Sequence, residues 1–105
     1  MSQFIISYLG GNRPASEEEG KAHMAKYRAW LAGLGEAAVS PANPLKNTHT
    51  VNPDGSVEQG GKTSMSGYTI VSADTIEDAI AMAKDCPFLE VSESLEVSEL
   101  MQMPG

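Results

Sequence analysis

The chain has 105 residues, 41% of them hydrophobic, which is enough for one compact core and too few for two. Its 14 acidic residues against 7 basic give a formal charge of −7, and no run of Lys or Arg forms a stripe that could neutralise phosphates. Nucleic acid and anionic membranes are therefore poor partners, and residues 1–105 read as a single domain.

Phe4, Ile5, Ile6, Tyr8 and Leu9 make a short run rich in β-branched and aromatic side chains, closed by Gly10-Gly11, which predicts a first strand. Ser16 followed three residues on by Glu19 has the form of a capping box, so a helix starts there. From Glu17 to about Leu34 the larger side chains His23, Tyr27, Trp30, Leu31 and Leu34 recur at spacings of three and four, giving an amphipathic helix with His23 on its apolar stripe. Gly33 and Gly35 end it. Ala37-Ala38-Val39 begins a second strand.

Residues 41–63 are rich in Pro, Asn and Gly. Within them Asn52-Pro53-Asp54-Gly55 is a turn sequence flanked by Asn47 to Val51 and Ser56 to Glu58, which predicts a polar hairpin. Ser66 to Ala73 reads as another strand. Asp74 with Glu77 forms a cap-like pair, so a second helix begins near Thr75, with Ile76, Ala79, Ile80 and Ala83 as its apolar face and Pro87 as its stop. Alternation across residues 94–101 predicts a last strand exposed on one face.

This order is the β-α-β-β-α-β pattern of a ferredoxin-like α+β fold with an embellished middle. It implies a four-stranded antiparallel sheet with both helices on one face. The other face stays bare unless something covers it, and a second subunit is the expected cover, so the chain reads as a homodimer.

Cys86 stands alone, so neither an internal disulfide nor a thiolate metal cluster can form, which suits a reducing compartment. Met1-Ser2-Gln3 followed by Phe4-Ile5-Ile6 lacks the form of a signal peptide, and no apolar stretch reaches membrane-spanning length. The expectation is a cytoplasmic protein with no membrane partner. Gly60-Gly61-Lys62-Thr63 lacks the glycine spacing, the strand and the helix of a phosphate-binding loop.

Titratable chemistry near neutral pH is confined to two histidines. His49 lies in the polar hairpin and reads as a surface residue. His23 shares a helical face with Tyr27 and Trp30, so its imidazole sits at the edge of an apolar pocket, either as a hydrogen-bonded core residue or as a general acid or base. Asp85 ends the second helix, either bonding a nearby backbone amide or serving as a carboxylate partner.

Residues 19–27, Glu-Gly-Lys-Ala-His-Met-Ala-Lys-Tyr, with Trp30-Leu31, resemble the first helix of the YCII-related (YciI-like) family. Ser66 to Val71 and then Asp78 to Phe88 resemble that family's third strand and second helix. In this sequence Cys86 stands between Asp85 and Pro87, and the Asp-Gly-Pro-Phe motif of one branch is absent. The resemblance implies a dimeric α/β barrel in which His23 and Asp85 form a dyad facing a cleft.

With that dyad, one reading is a small metal-independent, lyase- or hydrolase-like enzyme. Its dyad would move a proton on a small organic substrate held by Tyr27, Trp30 and Tyr68, with no cofactor. The alternative reading is a non-catalytic dimeric module that binds a small molecule or a protein partner in the same cleft.

Overall fold

Alternation in the first strand sets the layer order of the molecule. In the computed structural model, which describes residues 2–10, 16–91 and 93–101, β1 (Ser2–Gly10) buries Phe4, Ile6 and Tyr8 and turns Ile5, Ser7 and Leu9 to the opposite face. Strand β5 (Met65–Ala73) pairs antiparallel with β1 from Ser2↔Ala73 to Leu9↔Met65 and repeats the pattern, burying Thr69, Val71 and Ala73. On the other side of β1 lies β6 (Glu93–Glu99), also antiparallel. Strand β2 (Ala38–Pro44) pairs with β5 to complete the sheet order β2-β5-β1-β6.

Two helices, α1 (Glu17–Leu34) and α2 (Ile76–Lys84), cover the face that carries Phe4, Ile6 and Val71, and Tyr27, Ala79, Ala83 and Cys86 join those residues in one core. Full burial of Phe4, Ile6 and Val71 contributes about 1.5–3 kcal/mol each. This is the β-α-β-β-α-β arrangement that the pattern predicts. A separate two-stranded ribbon, β3 (His49–Val51) and β4 (Val57–Gln59), is inserted between β2 and β5 where a hairpin was expected. Among the described residues no helix is long and apolar enough to cross a membrane.

Both helix starts are capped, one of them a residue later than the sequence suggests. Ser16 Oγ accepts from the Glu19 N–H as expected. At α2 the cap is Thr75, whose Oγ1 accepts from the Asp78 N–H, rather than the Asp74–Glu77 pair. The buried stripe of α2 is also narrower than predicted: Ala79 and Ala83 sit against the sheet, while Ile76 and Ile80 are exposed on the flanks. Two alanines one turn apart let the helix axis approach closely, which pushes the longer side chains outward.

Pro41 and Pro44 fit within β2 because it is an edge strand with register shifts on either side of Ser40. The close approach of β2 to β5 depends on Gly67. A Cβ there would meet the Asn43 carbonyl oxygen at 3.0 Å and Pro44 Cα at 3.3 Å, both backbone atoms with no freedom to yield. Gly67→Ala should therefore destabilise the fold by about 1–3 kcal/mol, read as a lower midpoint in thermal or urea denaturation. An unchanged midpoint would show that the edge strand moves freely.

Candidate functional site

His23 lies in the second turn of α1, and the stripe it begins is the one that meets the sheet: Tyr27 is buried, and His23, Trp30, Leu31 and Leu34 are half-buried. Its imidazole meets the ring of Phe88 edge-on, with centroids 4.6 Å apart and planes at 74°. Phe88 belongs to the 3-10 turn Pro87–Val91 that follows α2. The same Phe88 ring stacks on Tyr8 at 4.8 Å and meets Tyr27 edge-on at 4.8 Å. Four rings from β1, α1 and this turn thus form one cluster.

Within that cluster His23 Nε2 is buried and has no hydrogen-bond partner among the described residues. Buried polar atoms are paired in the great majority of cases, and leaving one unpaired costs about 1–3 kcal/mol. The imidazole therefore holds an unused donor or acceptor in an aromatic setting.

Beneath the rings runs a chain of hydroxyls whose direction follows from its last member. Thr69 Oγ1 donates its one proton to the Pro41 carbonyl at 2.6 Å, so toward Tyr8 it can act only as acceptor. The Tyr8 hydroxyl then donates to Thr69 and accepts from the Tyr27 hydroxyl at 3.0 Å. Burial pushes the Tyr8 phenol far above its ordinary range, only partly offset by the bond to Thr69, so it stays protonated. The Tyr27 proton is committed to this chain.

Asp85 occupies a different place. It is the exposed C-cap of α2 and lines an open cleft of about 640 Å³ with Trp30, Lys26, Pro87 and Glu90. Lys26 and Glu90 form an exposed ion pair of 3.1 Å at that cleft, the kind worth little in water. No hydrogen bond or ion pair joins Asp85 to His23, because Asp85 is exposed at the helix end while the imidazole faces Phe88. Trp30 links the two regions: it stacks on Tyr27 at 5.9 Å, and its indole N–H donates to the Met82 carbonyl at 3.0 Å.

Tyr68 is placed elsewhere again. It alternates with buried Thr69 and so lies on the sheet face opposite the helices, together with Ile70. His23, Tyr27 and Trp30 are thus brought together, whereas Asp85 stands at a neighbouring cleft and Tyr68 on the far side of the sheet. His49 is exposed, with Nδ1 bonded to the Asn47 carbonyl at 2.8 Å. Among the described residues no group of three or more His, Cys, Asp or Glu is arranged to hold a metal ion.

Tyr8, Thr69 and Phe88 belong to the cluster and were not singled out from sequence. Tyr8 and Thr69 were within reach of period-two reasoning, since each is the hydroxyl-bearing residue on the inward face of its strand. Phe88 gave no such sign, because a residue after a helix-stopping proline can point anywhere.

A sequence profile of the YCII-related domain matches residues 5–103. Among solved structures the chain is similar to 5-chloro-2-hydroxyhydroquinone dehydrochlorinase from Burkholderia phenoliruptrix, in complex with 2,5-dihydroxybenzoquinone. The TM-score is 0.59 and the identity 18%, over 96% of this chain and 95% of the other. A comparison with curated proteins returns no match.

Tyr8→Phe keeps the ring stack but leaves the buried Tyr27 hydroxyl without its acceptor, so it should lower stability by about 1–3 kcal/mol near neutral pH. The Tyr8 phenol is raised in the fold relative to the unfolded chain. Its contribution is therefore whole below the unfolded value of about pH 10 and is lost as pH rises above that. Denaturant titrations from pH 7 to 11 should show a shallower alkaline fall for Tyr8→Phe than for the wild type, and parallel curves would refute the protonated hydroxyl chain.

Proposed function

The chain belongs to the YCII-related family, and from that premise we propose that it is an enzyme acting on a small organic molecule, with His23 as the group that transfers the proton. The observation that carries this reading is the buried, unpartnered Nε2 of His23 at the edge of the Tyr8, Tyr27 and Phe88 cluster. The cleft beside this cluster, lined by Trp30, Pro87 and Asp85, suits a planar ring carrying oxygen substituents, since it offers an aromatic ring and a polar group together. The similar dehydrochlorinase, whose structure holds a dihydroxybenzoquinone, supports the same ligand class.

Proton abstraction followed by departure of a leaving group asks for one base in a dry site, and a lyase-type elimination fits His23 better than hydrolysis. Asp85 is proposed as the carboxylate partner that His23 acquires when substrate is bound, because catalytic hydrogen bonds that are open in the empty site tighten in the complex. A homodimer formed across the bare sheet face of Ile5, Leu9, Tyr68 and Ile70 belongs to this reading. Ligand binding without catalysis is the second reading, favoured by the lack of any hydrogen bond or ion pair between His23 and Asp85.

The test is a turnover screen of halogenated and hydroxylated benzoquinones and hydroquinones with wild type, His23→Ala and Asp85→Asn. General acid–base catalysis predicts a loss of about 100-fold or more in kcat/KM for His23→Ala with unchanged folding. Asp85→Asn should lower kcat while leaving KM near the wild-type value. Binding of these compounds with no turnover by the wild type, and equal affinity in His23→Ala, would instead establish the non-catalytic reading.

A further inference from the structure

The ribbon between β2 and β5 is built for contact with something outside its own chain. Its β3 and β4 strands pack on each other, and neither packs substantially on any other strand or helix. A lone two-stranded ribbon is only marginally stable in water. On one of its faces Val51 and Val57 stand directly opposite each other, and they are 69% and 61% exposed. A cross-strand valine pair is an apolar unit that stabilises a sheet when covered, and among the described residues nothing covers it.

The ribbon is nevertheless held in a defined shape. At its tip the Gly55 N–H donates to the Asn52 carbonyl at 2.8 Å with Gly55 at φ 89°, and the Asp54 carboxylate accepts from both the Ser56 N–H and the Ser56 hydroxyl. At its base Leu45 N–H donates to the Ser66 carbonyl at 2.9 Å, so the β2–β5 pairing continues one residue past Pro44 and anchors the ribbon to the sheet edge. A preordered arm loses little conformational freedom on docking.

The area of the chain points to the occupant. Its accessible surface is 7386 Å², whereas a compact monomer of this mass exposes about 5,700 Å². The difference is roughly 1,700 Å² per chain, about twice what each partner buries in a standard interface and on the scale of a homodimer interface. The radius of gyration is 15.2 Å, against about 13 Å for a compact chain of this length. Two copies of a chain with charge −7 repel, so the surface that joins them has to be apolar, which Val51 and Val57 provide.

We propose that the ribbon of residues 45–60 is a dimerisation arm that lies against a second copy of this chain and buries Val51 and Val57 there. The inference rests on the dimer of the preceding section and adds the element that extends its interface beyond the sheet. Sedimentation equilibrium of wild type, Val51→Lys/Val57→Lys, Val51→Thr/Val57→Thr and Ile70→Lys tests it, with circular dichroism as the folding control.

The wild type should be a dimer whose Kd rises by about 100-fold or more in the double Lys variant and by about 10-fold in the double Thr variant. The threonines keep the strand preference and the shape of valine, so their result stands even if lysine disturbs the ribbon. A dimer weakened by Ile70→Lys but unchanged in both valine variants would overturn the arm and leave the sheet-face dimer standing. A monomeric wild type would overturn both.

Discussion

The hydroxyl chain from Tyr27 through Tyr8 and Thr69 to the Pro41 carbonyl fixes the first helix to the sheet at one rotation. Each member lies on a different element, α1, β1, β5 and β2, so the chain crosses the fold from the helix layer to an edge strand. Because Thr69 has one proton and gives it to a backbone carbonyl, the polarity of the whole chain is determined. Burial keeps Tyr8 protonated and so keeps that polarity intact at neutral pH. Once Tyr27 is held in this way, His23 one turn earlier on the same helix must face the ring of Phe88.

The edge strand that receives the chain is shaped to do so. Pro41 cannot donate to the ladder, but its carbonyl remains free to accept from Thr69. The register shifts around Ser40 and Asn43 accompany this departure from regular pairing. Gly67 lets the same strand come close enough for the bond to form. The aromatic cluster above then joins the turn after α2 to α1 through Phe88, while the Trp30 indole caps a carbonyl near the end of α2.

Much of the frame was readable in the sequence. Period-two burial in Phe4, Ile6 and Tyr8, the Ser16 and Glu19 pair, and the glycines after Leu34 led to the observed strand, cap and helix end. The Asn52 to Gly55 turn led to the ribbon. For the candidate site residues, helical spacing led to the stripe that His23, Tyr27 and Trp30 share. Asp85 and Tyr68 came from resemblance and from strand composition, and neither determines which way a side chain faces. Asp85 emerged at the outer cleft because a C-cap residue turns with the chain. Tyr68 fell on the far face because its neighbour Thr69 points inward. Phe88 follows a proline, and only the packed structure shows that it joins every ring of the cluster.

The proposed chemistry requires that His23 meet the ligand. With only two histidines in the chain, the imidazole resonances can be followed separately by NMR as 2,5-dihydroxybenzoquinone is added. His23 ring signals should shift with the ligand while those of exposed His49 stay in place. Saturable binding of the ligand that leaves the His23 signals unmoved would rule His23 out of the binding site.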